Sequence, residues 1–172
     1  MKKIIVIISI IFIIFLCIKN EKTIMVPDDS IRFRIISNSN NKEDITVKEY
    51  LTSKILNNKD LFESDSISES RDKINKNINN IDVLINNTFN ELNYNKDYKI
   101  NYGINYFPEK IYKGIKYNDG YYESLVITIG EGKGDNYFCV MYPPLCLVDD
   151  NNDEIEYKFK ILEILKKYII KK

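Results

Sequence analysis

The residues able to do chemistry in this chain are few, because its 172 residues include no histidine. Without an imidazole, Ser-His-Asp and Cys-His catalysis, histidine-ligated metal centres and a histidine pH switch all fall away. Carboxylate chemistry, cysteine chemistry and recognition without catalysis remain. Acidic pairs such as Asp28-Asp29 and Asp149-Asp150 are present, but the Asp-Thr/Ser-Gly context of an aspartic-protease dyad occurs nowhere, and adjacent acids in turns are usually solvated caps. Cys139 and Cys146 have no histidine to activate them as nucleophiles. In one extended strand they would stand about 23 Å apart at ~3.3 Å per residue, far beyond the ~7 Å Cα limit of a bridge. Only a reversal at Pro143-Pro144 joins them, so a disulfide and two buried thiols both stay open. The reading is of a protein that is not an enzyme and has neither a metal site nor a cofactor.

Alanine, glutamine and tryptophan are absent while isoleucine, asparagine and lysine abound, the composition of an AT-rich genome. Rare residue types therefore carry more information here than lysine or asparagine does. Three of the six glycines fall in Gly130-Glu131-Gly132-Lys133-Gly134-Asp135. The spacing is not that of a Walker loop, and a strand pattern rather than a helix follows, so nucleotide binding is not indicated. A plain hairpin loop and a shaped loop that meets a partner are the two readings. The concentration of glycine favours the second, with Glu131, Lys133 and Asp135 as contact charges. Arg32 and Arg34 are two of only three arginines against twenty-two lysines. On a strand they share one side about 7 Å apart, and a guanidinium fork suits bidentate pairing with a carboxylate. Glu123 is the candidate internal mate, with a solvated charged face as the alternative.

The elements that must position these residues follow from periodicity. Residues 31–36 alternate, with Ile31, Phe33 and Ile35 on one face, and read as a half-buried strand. A helix begins near Glu43, with Val47, Tyr50, Leu51 and Ile55 at helical spacing and Asn57-Asn58 as its stop. A longer one covers residues 66–92 through Ile67, Ile74, Ile78, Ile81, Ile85, Phe89 and Leu92. Residues 98–107, 121–129 and 137–142 read as strands, the last two as a hairpin around the glycine-rich stretch. A closing helix over residues 153–170 presents Ile155, Phe159, Leu162, Leu165 and Ile169 on one face. The fold class is α+β: a single domain with a mostly antiparallel sheet packed with about three helices, preceded by an N-terminal export helix.

Export is read from Met1-Lys2-Lys3 and the uncharged run over residues 4–18. As a helix that run spans about 22 Å, short of the roughly 30 Å hydrocarbon core, which favours a signal peptide; no small-x-small cleavage site follows, which keeps an uncleaved anchor open. Phe15-Leu16 before Cys17 does not suit lipoprotein processing. The division is residues 1–22 as signal peptide or signal anchor, with transient membrane contact, and residues 23–172 as the exported domain. With 25 basic and 25 acidic residues the formal charge is zero, which gives no cationic field for nucleic acid.

Two blocks resemble a known family. Pro27-Asp28-Asp29-Ser30-Ile31-Arg32-Phe33-Arg34-Ile35-Ile36-Ser37-Asn38-Ser39, followed by Glu43-Asp44, is similar to the opening of the stage II sporulation protein R family of endospore-forming bacteria. Gly120-Tyr121-Tyr122-Glu123, with residues 129–149 from Ile129-Gly130-Glu131 through Cys139 and Pro143-Pro144 to Cys146-Leu147-Val148-Asp149, resembles that family's signature. Tyr137-Phe138 stands where the family usually has a tryptophan pair, Ser37 where it often has alanine, and Asn40 where it has an acid. The resemblance implies a signalling protein made in the forespore and secreted into the space between forespore and mother-cell membranes. There it would activate a membrane-embedded aspartic protease, of the stage II sporulation protein GA type, that processes the precursor of sigma factor E. Candidate partner-binding residues are Arg32, Arg34, Asn38, Glu123, Glu131, Lys133 and Asp135. The alternatives are an exported thiol or carboxylate hydrolase, or an anchored cell-wall-associated structural protein.

Overall fold

Two helices form where a polar cap precedes an apolar stripe. Helix α1 (Lys42–Asn57) starts at Asn41, whose side chain accepts from the Asp44 N–H, and buries Val47, Leu51 and Ile55. Helix α2 (Ile67–Glu91) starts at Ser66 and buries Ile74, Ile81, Ile85 and Phe89. Tyr50, read from spacing as a core residue, instead lies on the exposed flank of α1 and donates to Glu91. The computed structural model describes residues 24–113, 115–148 and 154–169. The expected export helix lies outside these residues.

The strands are β1 (Ile24–Met25), β2 (Ile31–Ile36), β3 (Tyr98–Phe107), β4 (Lys110–Tyr112), β5 (Ile115–Tyr117), β6 (Gly120–Ile129) and β7 (Asn136–Tyr142). The main sheet has the order β3-β6-β2-β7, and a small sheet has the order β1-β5-β4. Strand β6 is antiparallel to β3 and parallel to β2, which is in turn antiparallel to β7. The α+β class holds, with the sheets mostly antiparallel.

The hairpin expected from β6 and β7 does not form. Strand β2 lies between them, with Phe33 opposite Leu125 on one side and Cys139 on the other. Local alternation reveals a strand but not its neighbours, and the consecutive buried residues Leu125, Val126 and Ile127 of β6 suit a central place covered on both faces.

One face of the main sheet carries Phe33, Ile35, Leu125, Ile127 and Ile129 against α1 and α2. The other carries Arg32, Arg34, Val126, Phe138 and Val140. Helix α3 (Glu154–Ile169) and the small sheet cover part of that second face, where Tyr157, Ile161 and Leu165 pack on Ile115, Tyr117, Val140 and Leu145. The face expected of α3 is thus corrected: of its residues Leu165 is buried, while Ile155, Phe159 and Leu162 are exposed. The helix has two apolar stripes, and the one containing Tyr157 meets the aromatic small sheet.

The chain reverses after β7 through a cis Tyr142–Pro143 peptide, and Cys139 and Cys146 are joined in a disulfide with a Cα separation of 5.2 Å. The open question about the two sulfurs resolves to a bridge. Closing this short loop in the unfolded chain accounts for about 2–3 kcal/mol of stability. Replacing both cysteines by serine is expected to lower the unfolding free energy by about that amount, read from urea denaturation; coincident curves for variant and parent would count against a stabilising bridge.

Candidate functional site

Because β2 separates β6 from β7, the glycine-rich connection must cross the end of β2, and there it meets residues 37–40. The Lys133 N–H donates to the Asn38 carbonyl at 3.1 Å and the Gly134 N–H to the Ser37 carbonyl at 2.9 Å. Side chains complete the contact: the Glu131 N–H donates to Asn38 Oδ1 at 3.0 Å and the Asp135 N–H to Asn40 Oδ1 at 2.6 Å. Gly130 has φ +52°, and a Cβ there would fall 2.2 Å from Asn38 Oδ1; at Gly134 it would fall 2.3 Å from the Ser39 carbonyl oxygen. At these two positions glycine is required by close approach.

Asp44 holds the other half of the junction. It lies 2% exposed in the first turn of α1 and accepts from Asn38 Nδ2 at 2.8 Å, Ser39 Oγ at 2.5 Å and the Tyr94 hydroxyl at 2.5 Å. Burial by itself would push this carboxyl up, but the donors from Ser39, Tyr94 and Asn38 hold it below the usual carboxylate range. The helix N-terminus favours the same charge. Burial and the Asp44 carboxylate together push the Tyr94 hydroxyl up.

The side chains of Glu131 and Lys133 project from this fixed backbone. They pair at 2.6 Å but are 68% and 75% exposed, so solvent screens the pair and it adds little to the fold. The loop thus presents charge on a backbone whose shape is set from below. Asn38, by contrast, is engaged internally by Asp44 and Glu131.

Arg32 and Arg34 do share one side of β2, but not with Glu123. Arg32↔Ser124 and Phe33↔Leu125 are in register, so Glu123, sharing parity with Leu125, lies on the opposite, helix-covered face. There it accepts from Arg71 Nε and Nη2 at 2.8 and 2.7 Å and from the Tyr102 hydroxyl. Arg71 foremost, and then Tyr102, keep the Glu123 carboxyl low against burial. The bidentate fork exists, with the third arginine as its donor.

Aromatic rings surround Arg32 instead. Its guanidinium carbon is 3.2 Å from the Tyr122 ring centre and within 6 Å of those of Phe107 and Phe138, and its Nη1 donates to the Asn118 carbonyl at 3.1 Å. It is 1% exposed, and burial pushes both Arg32 and Arg34 down from the usual arginine range.

The structure thus brings Asn38, Glu131, Lys133 and Asp135 into one site and separates Glu123 from Arg32 and Arg34. Sequence reasoning missed the roles of Tyr94, Arg71, Phe107 and Tyr122, and Asp44 appeared only as the end of the first block. Among the described residues no group of three or more His, Cys, Asp or Glu could hold a metal ion.

The fold and site define an α+β protein with a braced, charge-bearing glycine loop on one side and, on another, a buried Arg32 and half-buried Arg34 among aromatics. Residues 27–152 match the family model described as Stage II sporulation protein R, and the chain belongs to that family. It is 31% identical over 138 residues to Stage II sporulation protein R of Bacillus subtilis (strain 168), covering 78% of this chain and 61% of that protein. The match therefore spans less than two thirds of that relative's length. No solved structure matches the chain.

Replacing Asp44 by asparagine removes a charged acceptor of three side-chain donors and is expected to cost about 2–3 kcal/mol at neutral pH, on the scale of buried hydrogen bonds to charge. The folded-state pKa is depressed, so this stability is present above the unfolded value of about 4 and is lost as pH falls through the folded value. Urea midpoints for parent and Asp44→Asn should converge on acidification. A gap independent of pH would contradict the role of the charge.

Proposed function

We propose that this protein is an exported sporulation signal that acts by binding. In this reading it reaches the space between forespore and mother-cell membranes. There it switches on a membrane-embedded aspartic protease of the stage II sporulation protein GA type, which processes the precursor of sigma factor E in the mother cell. The observation that carries the reading is the convergence of the two blocks of this family: residues 37–44 brace residues 130–135 into a loop displaying Glu131 and Lys133 to solvent. Such a surface suits recognition, and the proposal assigns cleavage wholly to the protease.

Export is supported by the run over residues 4–18 and by the Cys139–Cys146 bridge, since disulfides persist in oxidising spaces. The N-terminal segment would contact the membrane during transfer, whether or not it is later cleaved. A neutral formal charge fits a protein partner better than nucleic acid.

Reconstitution in a non-sporulating host tests the reading, with the protease and the sigma precursor expressed with and without this chain. The chain is expected to raise processing, and no gain on its addition would overturn the function. Lys133→Glu should weaken processing at equal expression with little change in melting temperature, whereas undiminished processing would remove the loop from the interface. A form beginning at Thr23 and retained in the cytoplasm should fold yet fail to signal.

A further inference from the structure

Strand β3 is an outer strand of the main sheet, and its free edge lacks the devices that keep such edges from pairing. All ten of its residues pair with β6 in one unbroken register, and they include no proline, no acid and a single lysine, Lys99. The opposite edge, β7, has seven residues, a register shift against β2 and a proline at its end. Among the described residues no strand pairs with the outer side of β3. Beside that edge lie Ile104, Tyr106 and Tyr121, which are 69%, 49% and 75% exposed, with the two tyrosine rings 5.5 Å apart. An open ladder and an apolar patch thus occupy the same place.

The ladder decides which backbone groups are open. The Gly130 N–H donates to the Asp97 carbonyl at 2.7 Å, one step beyond the Tyr98↔Ile129 pair, and bonded pairs alternate along antiparallel strands, so the odd-numbered residues of β3 bond to β6. The N–H and C=O groups of Ile100, Tyr102, Ile104 and Tyr106 therefore point outward. These residues belong to a repeat, Ile100-Asn101-Tyr102-Gly103-Ile104-Asn105-Tyr106, in which Ile-Asn-Tyr stands on either side of Gly103. Turned about Gly103 against a second copy of itself, the repeat sets Ile100 opposite Tyr106, Asn101 opposite Asn105 and Tyr102 opposite Ile104. Open backbone groups then meet open backbone groups, rings meet β-branched side chains on one face, and amides meet amides on the other. Gly103 itself is unexplained within one chain: a Cβ there would meet only Asn101 Oδ1 at 3.8 Å, and its φ is outside the left-handed region. Glycine weakens a strand interior and there often marks the close approach of another backbone.

We propose that β3 pairs antiparallel with β3 of a second copy of this chain, on a two-fold axis through Gly103. Self-complementarity selects the occupant. A two-fold interface requires that residue i meet j while j meets i, and the repeat satisfies this at all three of its pairs in one register. A slip of one residue would turn the open groups away from each other, and a slip of two would set an asparagine against Gly103. On the axis the two Gly103 residues form a non-bonded pair, the kind that brings Cα atoms to about 4.5 Å. Pairing joins two four-stranded sheets into one of eight strands and places each exposed Ile104 beside a tyrosine of the other copy. The inference concerns assembly and stands independently of the signalling reading.

The test uses the full chain carrying Cys17→Ser, in neutral detergent, and reads association by sedimentation velocity at micromolar concentrations. A monomer–dimer equilibrium is expected. Ile104→Lys puts a charge on the open edge and should weaken the dimer at least about tenfold with an unchanged circular dichroism spectrum. Phe159→Lys, an equal change at an exposed residue of α3, should associate as the parent does. Cysteines read the register: Gly103→Cys lies on the axis, within bridging range of its twin, and should form a cross-linked dimer under mild oxidation. Lys99→Cys, on the same edge but opposite Phe107 of the second copy, should not. A chain that stays monomeric, or association undiminished in Ile104→Lys, overturns the proposal. So does equal cross-linking of the two cysteine variants, or loss of association in Phe159→Lys alone, which would assign the contact to α3.

Discussion

With β2 between β6 and β7, the residues joining those two strands must pass over the end of β2, and much of the site follows from that crossing. A hairpin loop would be shaped by its own turn. This one lies against another chain segment: four of its N–H groups find acceptors in residues 37–40, while the Gly132 N–H keeps a turn bond to the Ile129 carbonyl. The close approach explains Gly130 and Gly134, which no side chain could replace without moving Asn38 or Ser39. Asp44 secures the segment on which the loop rests, and its charge is stabilised both by three donors and by the start of α1. Order at the surface thus originates in a buried carboxylate and in strand order, and the exposed charges inherit it.

The two faces of the same sheet divide the arginines by parity. Arg71 reaches Glu123 from α2 and forms the fork that matches a carboxylate, closing an ion pair beside the helical core. Arg32 and Arg34 project to the other side, where aromatic rings surround them and Asp28, which accepts from the Tyr122 hydroxyl at 3.4 Å, lies near Arg32. A stacked guanidinium recovers part of its lost hydration from the ring faces, but its in-plane N–H groups still need acceptors. The two faces thus set a closed ion pair against guanidinium groups stacked on rings.

The legible parts of the fold were those governed by near neighbours. The bounds of β2, α1 and α2 came within a residue or two of the structure because caps and apolar spacing are local signals. Strand order was not legible, since nothing within β6 or β7 says that β2 will come between them. The short strands β1, β4 and β5 have two or three residues each, too few for alternation to show. Helix α3 has two apolar stripes, so its buried face depended on the position of the small sheet. At the site, the glycines and the rare arginines stood out against a lysine-rich composition, and their faces were read correctly. The mate proposed for the arginines was wrong although its own parity was right: Glu123 shares the face of Leu125, which is the face the arginines avoid.

The central claim is that the loop over residues 130–135 is held by the segment after β2 and is not a free surface turn. Amide hydrogen exchange on the full chain, resolved by residue, tests it most directly. Protection is expected at Glu131, Lys133, Gly134 and Asp135, whose N–H groups donate to Asn38, Ser37 and Asn40. It should be lost at these residues together in Asp44→Asn while the interior of β6 stays protected. Exchange of these four amides at the rate of an unstructured peptide in the parent chain would contradict the account.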